Sequence, residues 1–224
     1  GELARRLPPF VTPVLLFVNA SPEFITQGLA AVPNALLQFH GDETPADCTA
    51  ACRPFVRAAR IPPGPAGAGF DLLKYASDFT AAQAILLDAH VEGYGGGGQS
   101  FDWNAFPWSH PQLNASSRLV LSGGLTPANV TDGIRLVRPW AVDVSSGVEV
   151  SKGIKDADKM LAFVAAVRAA DHGGVVERLG RGFEATAAAL QRLTPVLEQR
   201  GIRLGEVDDA ADPGALDKRR TQPL

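Results

Sequence analysis

Between Leu119 and Glu149 the chain shows one short pattern twice: an apolar run too brief for a helix, then a loop built on glycine. Leu119-Val120-Leu121 runs into Ser122-Gly123-Gly124-Leu125-Thr126-Pro127, and Ala141-Val142-Asp143-Val144 into Ser145-Ser146-Gly147-Val148-Glu149. A glycine has no Cβ, so the backbone around it can close on an anion. A helix that begins just beyond adds unpaired N–H groups and a positive dipole end. Thr126 is expected to cap such a helix, with Pro127 at its first position. Two loops of this kind on neighbouring parallel strands would grip one phosphate between Gly123 and Gly124 on one side and Ser145, Ser146 and Gly147 on the other.

The rest of the chain repeats the theme. Candidate strands are Val14–Val18, Ala35–Phe39, Phe55–Arg60, Ala84–Leu87, Leu119–Leu121 and Ala141–Val144. Continuous apolar runs of this length suit parallel strands covered on both faces. Ser21-Pro22, Thr44-Pro45 and Thr126-Pro127 follow three of them, each a capping hydroxyl and then a helix-starting proline. Strand, loop and capped helix in repetition predict right-handed βαβ units. An open doubly wound sheet is the alternative to a (β/α)8 TIM barrel. The barrel is favoured because the phosphate loops come late, where barrels place them after strands seven and eight.

Composition narrows the partners. Among 224 residues the net charge is −3, which gives no sign of the basic surface that nucleic acid requires, and no nucleic-acid partner is expected. No apolar run approaches the roughly 18 residues of a membrane span, and no secretory signal is visible. Cys48 and Cys52, four apart in a predicted helix, lack further ligands at zinc spacing and read as reduced thiols of a cytoplasmic protein. Gly64 to Gly69 reads as a loop, and glycine-rich Gly93 to Gly98 as a mobile loop at the active face or a plain linker. Asp156 to Ala169 is expected to be the helix after the last strand. Residues 1–170 are thus expected to form the barrel body. Val176, Leu179, Phe183, Ala187, Leu190, Leu193 and Leu197 predict an appended amphipathic helix within 171–204, and 205–224 is polar enough for disorder.

Few side chains stand where chemistry would need them. Asp88 ends the run Ile85-Leu86-Leu87, at the strand terminus that faces the mouth of a barrel. Partial desolvation there suits a general acid; a structural or capping aspartate is the competing reading. Asp143 alternates with Val142 and Val144, so it points to the opposite face, toward a ligand hydroxyl or a structural hydrogen bond. His40, between Phe39 and Gly41, lines the site or is a satisfied structural group. Lys74, Lys152, Lys155 and Lys159 lie outside the predicted strands, which argues against Schiff-base chemistry.

Six segments in order resemble the phosphoribosylanthranilate isomerases, (β/α)8 enzymes of tryptophan biosynthesis. They are Leu16-Phe17-Val18-Asn19, Gln38 through Glu43, Leu86-Leu87-Asp88, Gly93 through Trp103, Leu121 through Val130 and Val142 through Glu149. They span roughly residues 5 to 170 and match the family's third to eighth strands. The resemblance implies an Amadori rearrangement of a phosphoribosylated anthranilate, a small-molecule substrate, with no cofactor and no metal, in a monomer or homodimer. It implies Asp88 as the acid that protonates the furanose oxygen, and a substrate-covering loop around Gly95 and Gly96. The family's general base is a strand-one cysteine and its anthranilate carboxylate is held by an arginine after strand two. Neither motif is present, so an incomplete barrel of strands three to eight, of low turnover as it stands, is expected. An indole-glycerol-phosphate synthase relative would need a strand-end lysine that is not seen. A non-catalytic binding or assembly module using the C-terminal helix is the remaining rival.

Overall fold

The computed structural model describes residues 1–89, 100–116 and 118–170. All six expected strands form, with ends shifted by a few residues: β1 (Val14–Phe17), β2 (Leu36–Phe39), β3 (Phe55–Ile61), β4 (Ala84–Ala89), β5 (Leu119–Leu121) and β6 (Ala141–Val142). They build one six-stranded sheet in the order β1-β2-β3-β4-β5-β6. Every neighbouring pair is parallel. Spatial order therefore equals chain order. A doubly wound sheet must reverse at a switch point, whereas a (β/α) barrel winds on in one direction. The winding is that of a barrel-type fold, and among the described residues β1 and β6 each pair on one side only.

The connecting helices are α1 (Pro22–Ala31), α2 (Pro45–Ala50), α3 (Leu72–Asp78), α4 (Pro111–Ser116), α5 (Val130–Val137) and α6 (Ala157–Ala170). The expected caps start the first two. Ser21 Oγ accepts from Phe24 N at 3.3 Å, and Thr44 and Asp47 form a reciprocal capping box with Pro45 at the first helical position.

Side chains alternate across each strand, so the sheet has two faces. Leu37, Phe39, Phe55, Ile61, Ile85, Leu87 and Leu121 pack outward in the main core beneath the helices. Val56, Ala58, Ala84, Leu86 and Val120 form a separate inner cluster. The inner positions one step beyond it, toward the C-terminal strand ends, are His40, Arg60, Asp88 and Ser122. That pleat aims the polar residues at a common mouth. On β1 the inward-alternating Val14 and Leu16 stay 48% and 40% exposed.

Several expectations change. Helix α5 begins at Val130, not at Thr126-Pro127. Asn129 intervenes: its Oδ1 accepts from Thr126 N at 2.8 Å and its Nδ2 donates to Gly124 O at 2.9 Å, which holds Pro127–Asn129 as a turn. Gly64–Gly69 is a 3-10 helix rather than a bare loop. Cys52 lies beyond α2, exposed, with φ 50, while Cys48 within it is buried. Asp143 falls just past the end of β6. Lys155 belongs to a strand after all, in an unforeseen antiparallel hairpin, β7 (Glu149–Ser151) with β8 (Ile154–Lys155). Gly95, Gly96 and the expected C-terminal helix and tail lie outside the described residues.

Candidate active site

The mouth is assembled from the C-terminal ends of β2, β4, β5 and β6. After β5, Gly123 and Gly124 take φ of 76° and 68°, the left-handed region that glycine alone enters freely. A Cβ on Gly123 would stand 2.9 Å from Asp88 Oδ1 and would overlap the amide of Ala89. The glycine thus lets the β5 loop fold against the carboxyl at the end of β4. After β6, Ser146–Val148 forms one turn of 3-10 helix. A Cβ on Gly147 would collide with the carbonyl of Leu125, in the first glycine loop. The two loops touch, and both lie beside Asp88.

Their amides are available. Among the described residues the backbone N–H groups of Gly123, Gly124, Ser145, Ser146 and Gly147 donate to no oxygen. Unpaired N–H groups converging on one concavity form an anion site without needing a charged side chain. The hairpin supports the second loop from behind. Lys155 Nζ donates to Ser145 O at 3.0 Å and pairs with Glu149 Oε1 at 2.7 Å, and only 13% of its side chain is exposed. This amine is committed to the loop, which among the described residues still leaves no lysine for a Schiff base at a sheet end.

Asp88 is 8% exposed. Its Oδ2 lies 2.9 Å from His40 Nε2, and His40 Nδ1 lies 3.1 Å from Gln38 Nε2. Oδ1, on the Gly123 side, has no hydrogen-bond partner among the described residues. Asp143 Oδ2 accepts from Ser122 Oγ at 3.0 Å. Burial raises the Asp143 carboxyl above the usual carboxylate range; the Ser122 bond opposes the rise and the neighbouring Asp88 charge adds to it. Asp143 is nonetheless exposed to solvent at the rim, so the rise is small.

Sequence reasoning overlooked the ion pair that shapes the β2 loop. Arg57 points outward from β3, yet its guanidinium turns to the strand ends and donates to Phe39 O, Gly41 O and Glu43 Oε2 at 2.9, 2.9 and 3.1 Å. Glu43 also accepts from Asn19 N at 2.7 Å and Gly41 N at 2.8 Å. Phe79 lies under the guanidinium at 5.0 Å. The signal was an arginine in a strand that is apolar but for Arg57 and Arg60. Arg60, opposite Asp88 in register, pairs with Asp42 at 3.1 Å near the same mouth.

Comparison with known proteins agrees with this geometry. The family model for N-(5'phosphoribosyl)anthranilate (PRA) isomerase matches residues 4–166. The chain belongs to the phosphoribosylanthranilate isomerase family. An N-(5'-phosphoribosyl)anthranilate isomerase of Leptothrix cholodnii is 65% identical over 171 residues, covering 76% of this chain and 73% of that one. The phosphoribosylanthranilate isomerase of Thermotoga maritima superposes with a TM-score of 0.62 at 36% identity, covering 75% of this chain and 78% of that one. A phosphoribosylanthranilate isomerase solved with reduced 1-(o-carboxyphenylamino)-1-deoxyribulose 5-phosphate superposes with a TM-score of 0.59 at 34% identity, covering 75% and 77%. Membership settles the choice of barrel over doubly wound sheet and leaves the non-catalytic module without support.

Proposed function

We propose that this chain carries the acid half and the phosphate half of a phosphoribosylanthranilate isomerase site, acting in tryptophan biosynthesis. The substrate is N-(5'-phosphoribosyl)anthranilate. Its phosphate sits against the amides of Gly123, Gly124, Ser145, Ser146 and Gly147. Its ribose then lies over Asp88 Oδ1, one strand away, at a spacing of about 5 Å. Asp88 donates its proton to the ring oxygen as the C1–O bond breaks, and the anilino nitrogen lone pair forms the C1=N bond. Loss of the C2 proton to a base gives an enolamine; a proton then returns at C1 while the C2 hydroxyl gives up its own to Asp88, leaving the C2 ketone and the acid restored. Asp143 and His40 line the sugar. The chemistry needs no cofactor or metal.

The observation that carries this reading is the contact of both glycine loops with each other and of one of them with the acid. The family's thiolate base has no stand-in among the described residues. Cys48 is 0% exposed and burial pushes its thiol up to about 11, while Cys52 lies on the surface beyond α2. The 224-residue chain is therefore expected to bind better than it turns over. Calorimetric titration with the reduced product analogue is expected to show saturable binding that Gly147→Ala weakens at least ~10-fold, the loss of about one good charge-assisted contact. Absence of binding, or binding indifferent to Gly147→Ala, would sink the phosphate assignment. Rapid product formation by the chain alone would sink the account of the base.

A further inference from the structure

We propose that Gln38 is a positioning residue that keeps His40 neutral, so that Asp88 faces an uncharged partner and stays competent to donate a proton. The proposal rests on Asp88 being the acid of the proposed reaction. Gln38 and His40 are two apart on β2 and share its inner face. The backbone N–H of His40 donates to Phe17 O at 2.8 Å, which fixes the imidazole's root. The ring spans β3 to reach Asp88 on β4. One step past the Phe39–Arg57 register pair stands Ala58, and its methyl leaves the imidazole room.

The polarity of this line follows from valence. The amide nitrogen of Gln38 has no free lone pair and only donates. His40 Nδ1, at 3.1 Å, must accept. A neutral ring that accepts at Nδ1 carries its proton on Nε2, and that N–H donates to Asp88 Oδ2 at 2.9 Å. Oδ2 is then an acceptor, and the proton of the acid form sits on Oδ1, the oxygen beside Gly123. An imidazolium here would reverse the chemistry, because a cation against Oδ2 favours the carboxylate. The charged groups around the ring are Asp88, bonded to it, Asp143 nearby and Arg60, opposite Asp88 in register on β3. The amide N–H of Gln38 occupies the one nitrogen where a second proton would bind.

The test is nuclear magnetic resonance on the 15N-labelled chain at about pH 8, above the ordinary histidine range near 6.5. It needs no turnover, so it is independent of the isomerase assay. Expected are a protonated, pyrrole-like Nε2, a bare, pyridine-like Nδ1 and a coupling through the hydrogen bond from the Gln38 amide nitrogen to Nδ1. His40→Gln assigns the signals. In Gln38→Glu the new carboxylate accepts at Nδ1, and both ring nitrogens are expected to become protonated at the same pH. A wild-type ring protonated at Nδ1, an absent coupling, or a Gln38→Glu ring that stays neutral would overturn the proposal. Binding of the reduced product analogue, measured in parallel, reports separately on the family site itself.

Discussion

Glu43→Gln replaces one oxygen and removes one charge, and its cost can be worked from the contacts. Glu43 is 8% exposed and Arg57 4% exposed, so water screens neither well. The carboxylate receives three donors: Asn19 N at 2.7 Å, Gly41 N at 2.8 Å and Arg57 at 3.1 Å. An amide offers one oxygen, so at least one buried donor faces an NH2 and goes unmet, at about 1–3 kcal/mol. Arg57 also loses its counter-charge. Removing one partner of a buried pair costs about 3–5 kcal/mol. Two carbonyls and the Phe79 face still hold the guanidinium, which lowers the figure. The net expectation is about 3 kcal/mol. For a chain of this size that corresponds to a melting point lower by roughly 10 °C. Urea denaturation at neutral pH measures it, with Asp78→Asn as the control. That residue's pair with Lys74 is exposed (side chains 44% and 68%) and is worth at most about 0.5 kcal/mol. If Glu43→Gln shifts the urea midpoint no more than the control does, the β2 loop is not held as described.

Other expectations concern ionisation and the phosphate loops. Lys155→Met leaves Ser145 O and Glu149 Oε1 without their lysine donor, so affinity for inorganic phosphate is expected to fall about 10-fold by titration calorimetry; unchanged affinity would mean the hairpin does not support the loop. Burial pushes the Cys48 thiol from 9.0 up to about 11, so the folded chain binds more protons than the unfolded chain between those values. Stability should therefore decline as pH climbs through that window, and Cys48→Ala should flatten the decline in urea titrations. In the native state Cys52 should alkylate well before Cys48, read by mass spectrometry of peptides. The raised Asp143 carboxyl favours folding below the ordinary carboxylate range, and that contribution disappears as pH rises through its folded value. Asp143→Asn should consequently stabilise the chain more at pH 7 than at pH 4, and an equal effect at both would contradict the burial argument.

The strands were legible because each is a short, mainly apolar run, buried along β3, β4 and β5 and still contiguous in the half-exposed β1. Val14–Phe17 and Leu119–Leu121 could be bounded to about a residue on that basis. The Ser-Pro and Thr-Pro starts of α1 and α2 were local signals and formed locally. Thr126-Pro127 carried the same signal and failed, because Asn129 offers the loop stronger side-chain bonds than a cap would. The hairpin Glu149–Lys155 is too short and polar for periodicity; its one clue was Gly153, which turns with φ 80°. Asp88 and both glycine loops could be singled out since strand ends and glycine carry position in the sequence. The Gln38–His40–Asp88 line could not, because it crosses a strand, and neither could the reach of Arg57 to the C-terminal end of β2. Such links depend on register, which becomes visible only once the sheet is paired.

The unpaired flank of β1 has a practical side. Val14 and Leu16 present oily methyls next to a row of main-chain groups that, among the described residues, have no ladder beyond them. Such a border templates further strands, including those of a second copy. Concentrated stocks should cloud on warming and keep better in the cold, where apolar attraction weakens. A lysine written into position 16 should extend their shelf life while leaving the loops after β5 and β6 untouched.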